Sequence, residues 1–317
     1  MKPLVSVICL CYNHKLYLRE AIESVLKQTY SNLQIILIDD ASTDGSPEEL
    51  KKLASENSIA ELILLPRNIG NCKAFNVALR KVKGDFVIDF ATDDVMLPQH
   101  IQKVVARFQS LDESFGVVFT DATYIDEQGN PIRDHFNYLL NKKLIQLIPQ
   151  GDIFRKVLTT YFIPGPTMMA RKKVMDDLGG YDETLAYEDF DFWMRSSRNF
   201  KYTFLNENQM RIRRSKTSMS AMLYQPGDKQ LYSTYMICKK AKELCRDEED
   251  RNALRHRVLY EFRQAVLSEN KTDAKLFADF LEELKSTGFQ FHLLKLANAL
   301  PLPWNIFRSL YHRIRFT

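Results

Sequence analysis

From Leu4 to Asp126 the chain alternates two kinds of hydrophobic pattern, and that alternation leaves few folds open. "LVSVICLC" (4–11), "LQIILIDD" (33–40), "ELILLP" (61–66), "GDFVIDFA" (84–91) and "FGVVFTDATYID" (115–126) are short apolar runs, dense in β-branched residues. They read as buried strands. Between them the period changes to that of a helix. Leu18, Ile22, Val25 and Leu26 share one face, as do Phe75, Ala78, Leu79 and Val82, and then Ile101, Val104, Val105 and Phe108. Ser46-Pro47-Glu48-Glu49 offers an N-cap, a proline at the first helical position and a capping-box glutamate. Strands with no polar face must be covered on both sides, so the pattern predicts an α/β fold. Its centre is a mostly parallel, Rossmann-like sheet with helices on both faces. Ligands of such sheets sit in the crevice beyond the carboxyl ends of the strands, which directs attention to the residues that follow each strand.

After about residue 127 the pattern changes. Glu127-Gln128-Gly129-Asn130-Pro131 is turn chemistry. Residues 137–163 read as short helices and loops, "TMMAR" (167–171) as a short strand, and "KYTFLNENQMRIRR" (201–214) as a bent strand or hairpin. From Pro226 onward the chain is helical and strand-poor. There Leu231, Thr234, Ile237, Cys238, Ala241 and Cys245 share a face, which makes both cysteines packing residues. A boundary near 220–226 separates an α/β domain (1–222) from an all-helical C-terminal extension (223–317).

A formal net charge of +4 over 317 residues is too small to imply nucleic acid, and none is expected as a partner. The five cysteines form no C-x-x-C pair and no zinc spacing, so they read as reduced thiols of a cytoplasmic protein. "LVSVICLC" is too short for a signal peptide and runs at once into Asn13 and His14. No apolar run approaches the length that spans a bilayer.

Three strand ends carry polar clusters: Tyr12-Asn13-His14, Asp39-Asp40-Ala41-Ser42-Thr43-Asp44-Gly45, and Thr92-Asp93-Asp94. Each alone is ordinary turn or N-cap composition. Together they set Asp40, Asp93 and Asp94 on one edge of one sheet, where negative charge is costly unless a cation arrives. A hard divalent metal with oxygen ligands relieves that cost and in turn binds a diphosphate. The loop after the first strand has no G-x-G-x-x-G, and no P-loop occurs anywhere, so the phosphates must be neutralised by the metal rather than by a glycine cradle.

"VSVICLCYNHKLYLREAIESVLKQTYSNLQIILIDDASTDGS" resembles the opening of a family 2 glycosyltransferase, the inverting class with the GT-A fold. "RNIGNCKAFNVAL", "GDFVIDFATDD", "GGYDE" (179–183) and "YEDFDFWMR" (187–195) follow in the family's order, so the resemblance covers roughly residues 3–220. It implies that Tyr12 stacks on the uracil of a UDP-sugar and that Asp40 accepts a hydrogen bond from the base. Lys73 is a weaker candidate for contacting the nucleotide. Asp93 holds the ribose or shares the metal, and Asp94 ligates Mn2+ or Mg2+. In Glu188-Asp189-Phe190-Asp191, Asp189 matches the catalytic base, with Glu188 and Asp191 as supporting carboxylates. The plain alternative is that Glu188 and Asp189 merely suit the first turn of a helix.

Two departures stand out. Many relatives carry D-x-D-D where this chain has Ala91-Thr92-Asp93-Asp94, so one potential carboxylate ligand is missing. Relatives often place a histidine after the later strand, where this chain offers Arg211, Arg213 and Arg214. Arg213 is the candidate for gripping the diphosphate; a solvated basic strand end fits equally. His14 is expected to be an exposed loop residue or a helix cap, without a role in the site.

The expected function is transfer of a hexosyl or N-acetylhexosaminyl group from a UDP-sugar to a hydroxyl of a glycan or lipid-linked acceptor, in cell-surface polysaccharide synthesis. A catalytically inactive sugar-nucleotide-binding module is the alternative. A sugar nucleotidyltransferase is less favoured, because its glycine- and lysine/arginine-rich N-terminal loop is absent. In the tail, residues 303–316 pattern as an interfacial helix. Trp304, Ile306, Phe307, Leu310, Tyr311 and Ile314 fall on one half, and Arg308, His312, Arg313 and Arg315 on the other. Peripheral membrane contact through this segment is weighed evenly against docking on the protein itself.

Overall fold

The computed structural model of the chain describes residues 2–59, 61–215, 224, 226–227, 229–306 and 308. Its strands and helices, in chain order, are β1 (Val5–Cys11), α1 (Lys15–Leu26), β2 (Leu33–Asp39), α2 (Ser46–Glu56), β3 (Glu61–Leu64), α3 (Asn71–Leu79), β4 (Phe86–Ala91), β5 (Val95–Met96), α4 (His100–Gln109), β6 (Phe115–Ile125), β7 (Pro131–Asp134), α5 (His135–Asn141), α6 (Phe154–Thr159), β8 (Met169–Arg171), α7 (Lys172–Leu178), α8 (Asp189–Ser196), β9 (Lys201–Arg213), α9 (Lys229–Leu244), α10 (Glu248–Leu267), α11 (Lys271–Glu283) and α12 (Phe289–Ala299).

Two compact units emerge. The first comprises Met1–Ile153, Phe162–Glu183 and Asp191–Ser215. It holds one mixed sheet in the order β3-β2-β1-β4-β8-β6-β9-β5, with β7 paired to β6. β3, β2, β1 and β4 are mutually parallel, as the uninterrupted apolar runs predict. β8 enters antiparallel between β4 and β6, and β9 runs parallel to β6. All seven residues of β1 are buried, because helices cover the sheet on both sides. α1 meets this core through Leu18, Ala21, Ile22 and Val25, and α4 through Ile101, Val104, Val105 and Phe108. Two local readings change. Ser46 is the first residue of α2 rather than its cap: Gly45 adopts a left-handed φ of 90°, and the Asp44 carboxylate takes the Ser46 amide at 3.0 Å. Val95–Met96, to which the sequence pattern assigned no element, pairs with Arg211 and Met210 as a short strand.

The second unit comprises Phe154–Tyr161, Thr184–Phe190 and Lys216–Thr317. Its secondary structure is helical, and its core includes Ile237, Cys238, Leu254, Val258, Phe262, Phe277 and Leu281. Asp247 caps α10 by accepting the Asp250 amide at 2.8 Å. Arg155 on α6 binds Asp247 and Glu249 in the same turn, and Asp250 at 2.7 Å. All five cysteines are free thiols; Cys245 is half-buried and the others are buried.

α12 is unusual in burying only Phe291. Phe289, Leu293, Leu296 and Leu300, spaced three and four apart, form an exposed stripe on the opposite side. Of the expected interfacial segment, Phe307 and residues 309–316 lie outside the described residues. Arg308, expected on the solvated half, is buried and donates to the Tyr224 carbonyl at 3.1 Å. Trp304 donates its indole N–H to the Ala297 carbonyl at 2.9 Å. Among the described residues no helix is long and apolar enough to cross a membrane.

His100 is fully buried at the start of α4, and neither ring nitrogen has a partner among the described residues. Burial pushes its pKa down to about 4. Burial does the same to His135, also to about 4. In the unfolded chain each titrates near 6.5. Between those values the unfolded chain binds more protons than the folded one. Stability is therefore complete above pH 6.5 and declines as pH falls toward 4. The melting temperature should drop between pH 7 and 4.5, and His100→Leu should drop distinctly less. Parallel losses in the two proteins would rule out the histidine as a source of the acid sensitivity.

Candidate active site

The carboxyl ends of β3, β2, β1 and β4 share one edge of the first unit, and their loops interlock there. Asn13 takes the left-handed conformation, φ 58°, which asparagine tolerates better than most residues. That turn lets its amide donate to Ser42 Oγ (2.8 Å) while its side-chain oxygen accepts from the Thr43 amide (2.9 Å). Asp39 closes the same loop through the Ser42 amide (2.8 Å) and hydroxyl (2.6 Å). Asp40 is buried, and its two oxygens accept from the amides of Ile69 (2.8 Å) and Gly70 (2.9 Å). It thus fixes the approach to α3, and each oxygen retains a lone pair for a further donor. Tyr12, between these loops, is 45% exposed. Lys73 lies exposed in the first turn of α3.

The turn after β4 is the most constrained part of the edge. Thr92 Oγ1 lies 3.1 Å from His14 Nδ1, and Asp93 Oδ1 lies 3.9 Å from the same nitrogen. Asp94 is buried, and its Oδ1 accepts the Arg213 amide at 2.8 Å. Burial first, and then the neighbouring Asp93, push the Asp94 carboxyl well above the usual carboxylate range. Arg213 does not extend toward solvent. Its guanidinium donates to the carbonyls of Asp93 (2.9 Å), Asp126 (3.0 Å) and Glu127 (3.2 Å), and to Glu20 Oε2 (2.9 Å). It also stacks 4.2 Å from the Tyr17 ring centre. Arg213 stands opposite Ile125 of β6, and its buried guanidinium clamps the aspartate turn with its donors turned to protein acceptors.

The later motifs fold onto one another. Asn76 donates to the Tyr181 carbonyl (2.8 Å) and to Glu183 (3.1 Å), and accepts the Tyr181 amide (2.9 Å). Gly180 has φ 82°, and a Cβ there would lie 2.4 Å from Asn76 Oδ1, so only glycine fits. Asp191 is buried and paired with Arg195 at 2.6 Å; Arg195 also donates to the carbonyls of Leu178 and Gly180. Asp191 is therefore a structural anchor. Glu188 and Asp189 are half-buried, Asp189 opening α8, and both lie in the 184–190 segment of the helical unit. His14 is the N-cap residue of α1, one of the two readings its sequence position allowed, but sequence reasoning missed its contact with the Thr92–Asp93 turn and the Glu20–Arg213 pair. The histidine stands two residues past Tyr12 in the loop already singled out, whereas nothing local links two residues 193 apart.

The donor set of the β4 turn suits a hard divalent cation. Two adjacent carboxylates offer oxygen ligands, and among the described residues nothing donates a hydrogen bond to Asp94 Oδ2. No group of three or more His, Cys, Asp or Glu assembles as a metal cage among the described residues, so most of the coordination would come from phosphate oxygens and water.

The mixed α/β sheet, which here carries an acidic turn at the carboxyl edge of its parallel strands, is a fold shared with known proteins. The family model "Glycosyl transferase family 2" matches residues 6–179. The putative glycosyltransferase EpsE of Bacillus subtilis is 30% identical over 247 residues, covering 76% of this chain and 84% of that protein. The chain belongs to glycosyl transferase family 2 and has the GT-A fold. S. aureus TarS 1–349, solved in complex with UDP-GlcNAc, superimposes with a TM-score of 0.72 at 17% identity, over 93% of this chain and 88% of that one. The mannosyltransferase PcManGT of Pyrobaculum calidifontis, solved with GDP-Man and Mn2+, gives 0.57 at 17% identity, over 98% and 84%.

Asp94 is a buried carboxyl beside a second carboxylate, so replacing it by a neutral amide should help the metal-free protein. Asp94→Asn keeps an oxygen for the Arg213 amide and should raise the melting temperature in EDTA at pH 7. A lower melting temperature would mean that the ionised carboxylate is already compensated within the chain.

Proposed function

We propose that the protein is a metal-dependent, inverting glycosyltransferase that takes a UDP-sugar, with a hexosyl or N-acetylhexosaminyl group, to a hydroxyl of a surface glycan or its lipid-linked precursor. The observation that carries this reading is the Asp93–Asp94 turn, two adjacent carboxylates, one of them buried, on the edge that also presents Tyr12. Tyr12 stacks on the uracil, and Asp40 accepts from the base with its remaining lone pairs. Asp94 and Asp93 would hold Mn2+ or Mg2+, which when bound offsets the charge developing on the departing diphosphate. Asp93 is also placed to accept from the ribose. Lys73 stays a peripheral nucleotide contact, and Arg213 the clamp of the metal turn.

In the transfer step the acceptor oxygen attacks the anomeric carbon as the bond to the diphosphate breaks, and Asp189 removes the acceptor's proton. The donors named for TarS and PcManGT support a nucleotide-sugar substrate, and the Mn2+ named with PcManGT supports the metal. UDP should raise the melting temperature with Mn2+ and much less in EDTA. Asp189→Asn should keep that response while transfer from a UDP-sugar panel falls about a hundredfold to ten-thousandfold. Undiminished transfer by Asp189→Asn would remove the base assignment. Binding without turnover of any donor would point to the inactive module.

We also propose that the acceptor is met at a membrane surface. The exposed α12 stripe supports this, together with the absence of any acidic residue after Glu283, where Lys285, Lys295, Arg313 and Arg315 remain besides the buried Arg308. The protein should sediment with anionic liposomes at low salt, and Leu293→Glu with Leu296→Glu should release it. A wild-type protein that stays in the supernatant would refute the contact. A doubly substituted protein that changes from dimer to monomer would assign the stripe to self-association.

A further inference from the structure

We infer that helices α9 and α10 position the Asp189 carboxylate, through a brace formed by Ser233, Thr234 and Arg257; the inference rests on the reading of Asp189 as the base. Asp189 sits in a short segment, Thr184–Phe190, that clusters with the helical unit. On its N-terminal side the segment is tied twice to α9. The Ala186 amide donates to Ser233 Oγ at 2.9 Å, and the Tyr187 hydroxyl lies 2.7 Å from Thr234 Oγ1. Thr234 Oγ1 also donates to the Gln230 carbonyl at 3.0 Å, which fixes its hydroxyl on α9.

On its C-terminal side the segment is held by α10. Phe190 is buried with its ring centre 5.0 Å from the Arg257 guanidinium carbon and 5.0 Å from the Tyr161 ring. Arg257 lies 4.2 Å over Tyr161 and is itself fixed by the Leu158 carbonyl (2.6 Å) and Glu261 Oε1 (2.9 Å). Arg257 is 4% exposed and Glu261 is 0% exposed. Such a buried pair is a poor source of stability compared with apolar packing, but it fixes geometry. Residues 187 and 190 are thus both anchored, and Glu188 and Asp189 are the two between them. A general base must reach its proton within hydrogen-bond distance, and a misplacement of about 1 Å can cost on the order of a hundredfold in rate.

These residues touch neither donor nor acceptor in this assignment; they are positioning residues acting through Asp189. The full-length protein is assayed for transfer from the donor that the panel identifies, as wild type, Tyr187→Phe, Thr234→Val and Thr234→Ser. Each is also made in the Asp189→Asn background. Tyr187→Phe and Thr234→Val should lower kcat by roughly ten- to a hundredfold, with the donor KM and the UDP-induced melting shift unchanged. Thr234→Ser, which keeps the hydroxyl, should stay near wild type. In the Asp189→Asn background the same substitutions should have almost no further effect, the signature of residues acting through one group. If Thr234→Val unfolds, Tyr187→Phe, which removes one hydroxyl from a half-buried ring, carries the test. An unchanged kcat, or equal losses with and without Asp189, overturns the brace while leaving the base in place. Full activity of Asp189→Asn alone overturns the base reading instead.

Discussion

Asp94 carries its carboxyl into the interior, where among the described residues the Arg213 amide alone donates to it, and a second carboxylate stands next to it in the chain. Much of the first unit is arranged around that cost. Arg213 closes the turn from the far strand and binds the Asp93 carbonyl. Glu20 and the Tyr17 ring, both on α1, hold Arg213. His14, just before α1, faces Thr92 and Asp93. Strand β9, helix α1 and the β4 turn are thus linked through one guanidinium, and the pair of carboxylates is kept in a geometry that an incoming cation would complete.

The same reasoning explains how the arginine's assignment changed. A basic strand end in "MRIRR" reads as solvated or as phosphate-binding, because a linear sequence shows charge but not direction. Strand alternation does not decide it, since Arg211 and Arg213 stand two residues apart, yet Arg211 is exposed and Arg213 is buried. The carbonyls of Asp93, Asp126 and Glu127 and the Glu20 carboxylate decide it, and all of them are distant from Arg213 in the chain, so the clamp was invisible before the fold. The Asp191–Arg195 pair was partly foreseeable, since residues four apart meet on a helix. The additional grip of Arg195 on Leu178 and Gly180 was not.

The helical unit contributes more than bulk. Its helices α9 and α10 hold the segment that carries Glu188 and Asp189, and a buried Arg257–Glu261 pair is spent on that hold. α12 keeps an apolar row in solvent, an arrangement that soluble surfaces seldom retain without a use. The helical unit therefore holds the segment that carries Glu188 and Asp189.

The chain's own pattern determined the parallel half of the sheet. Runs such as "VSVICLC" have no polar face and can only be strands covered on both sides, with helices of period 3.6 between them. It also determined which residues follow the strands, and so where Tyr12, Asp40, Asp93 and Asp94 would cluster. Those are local properties, set by side-chain periodicity and turn chemistry. The tertiary structure alone decided the antiparallel entry of β8, the inward turn of Arg213, the commitment of Asp40 to the Ile69 and Gly70 amides, and the attachment of residues 184–190 to the helices. Each joins positions far apart in the chain, and nothing in the spacing of neighbours records which distant backbone group a buried donor or acceptor will find.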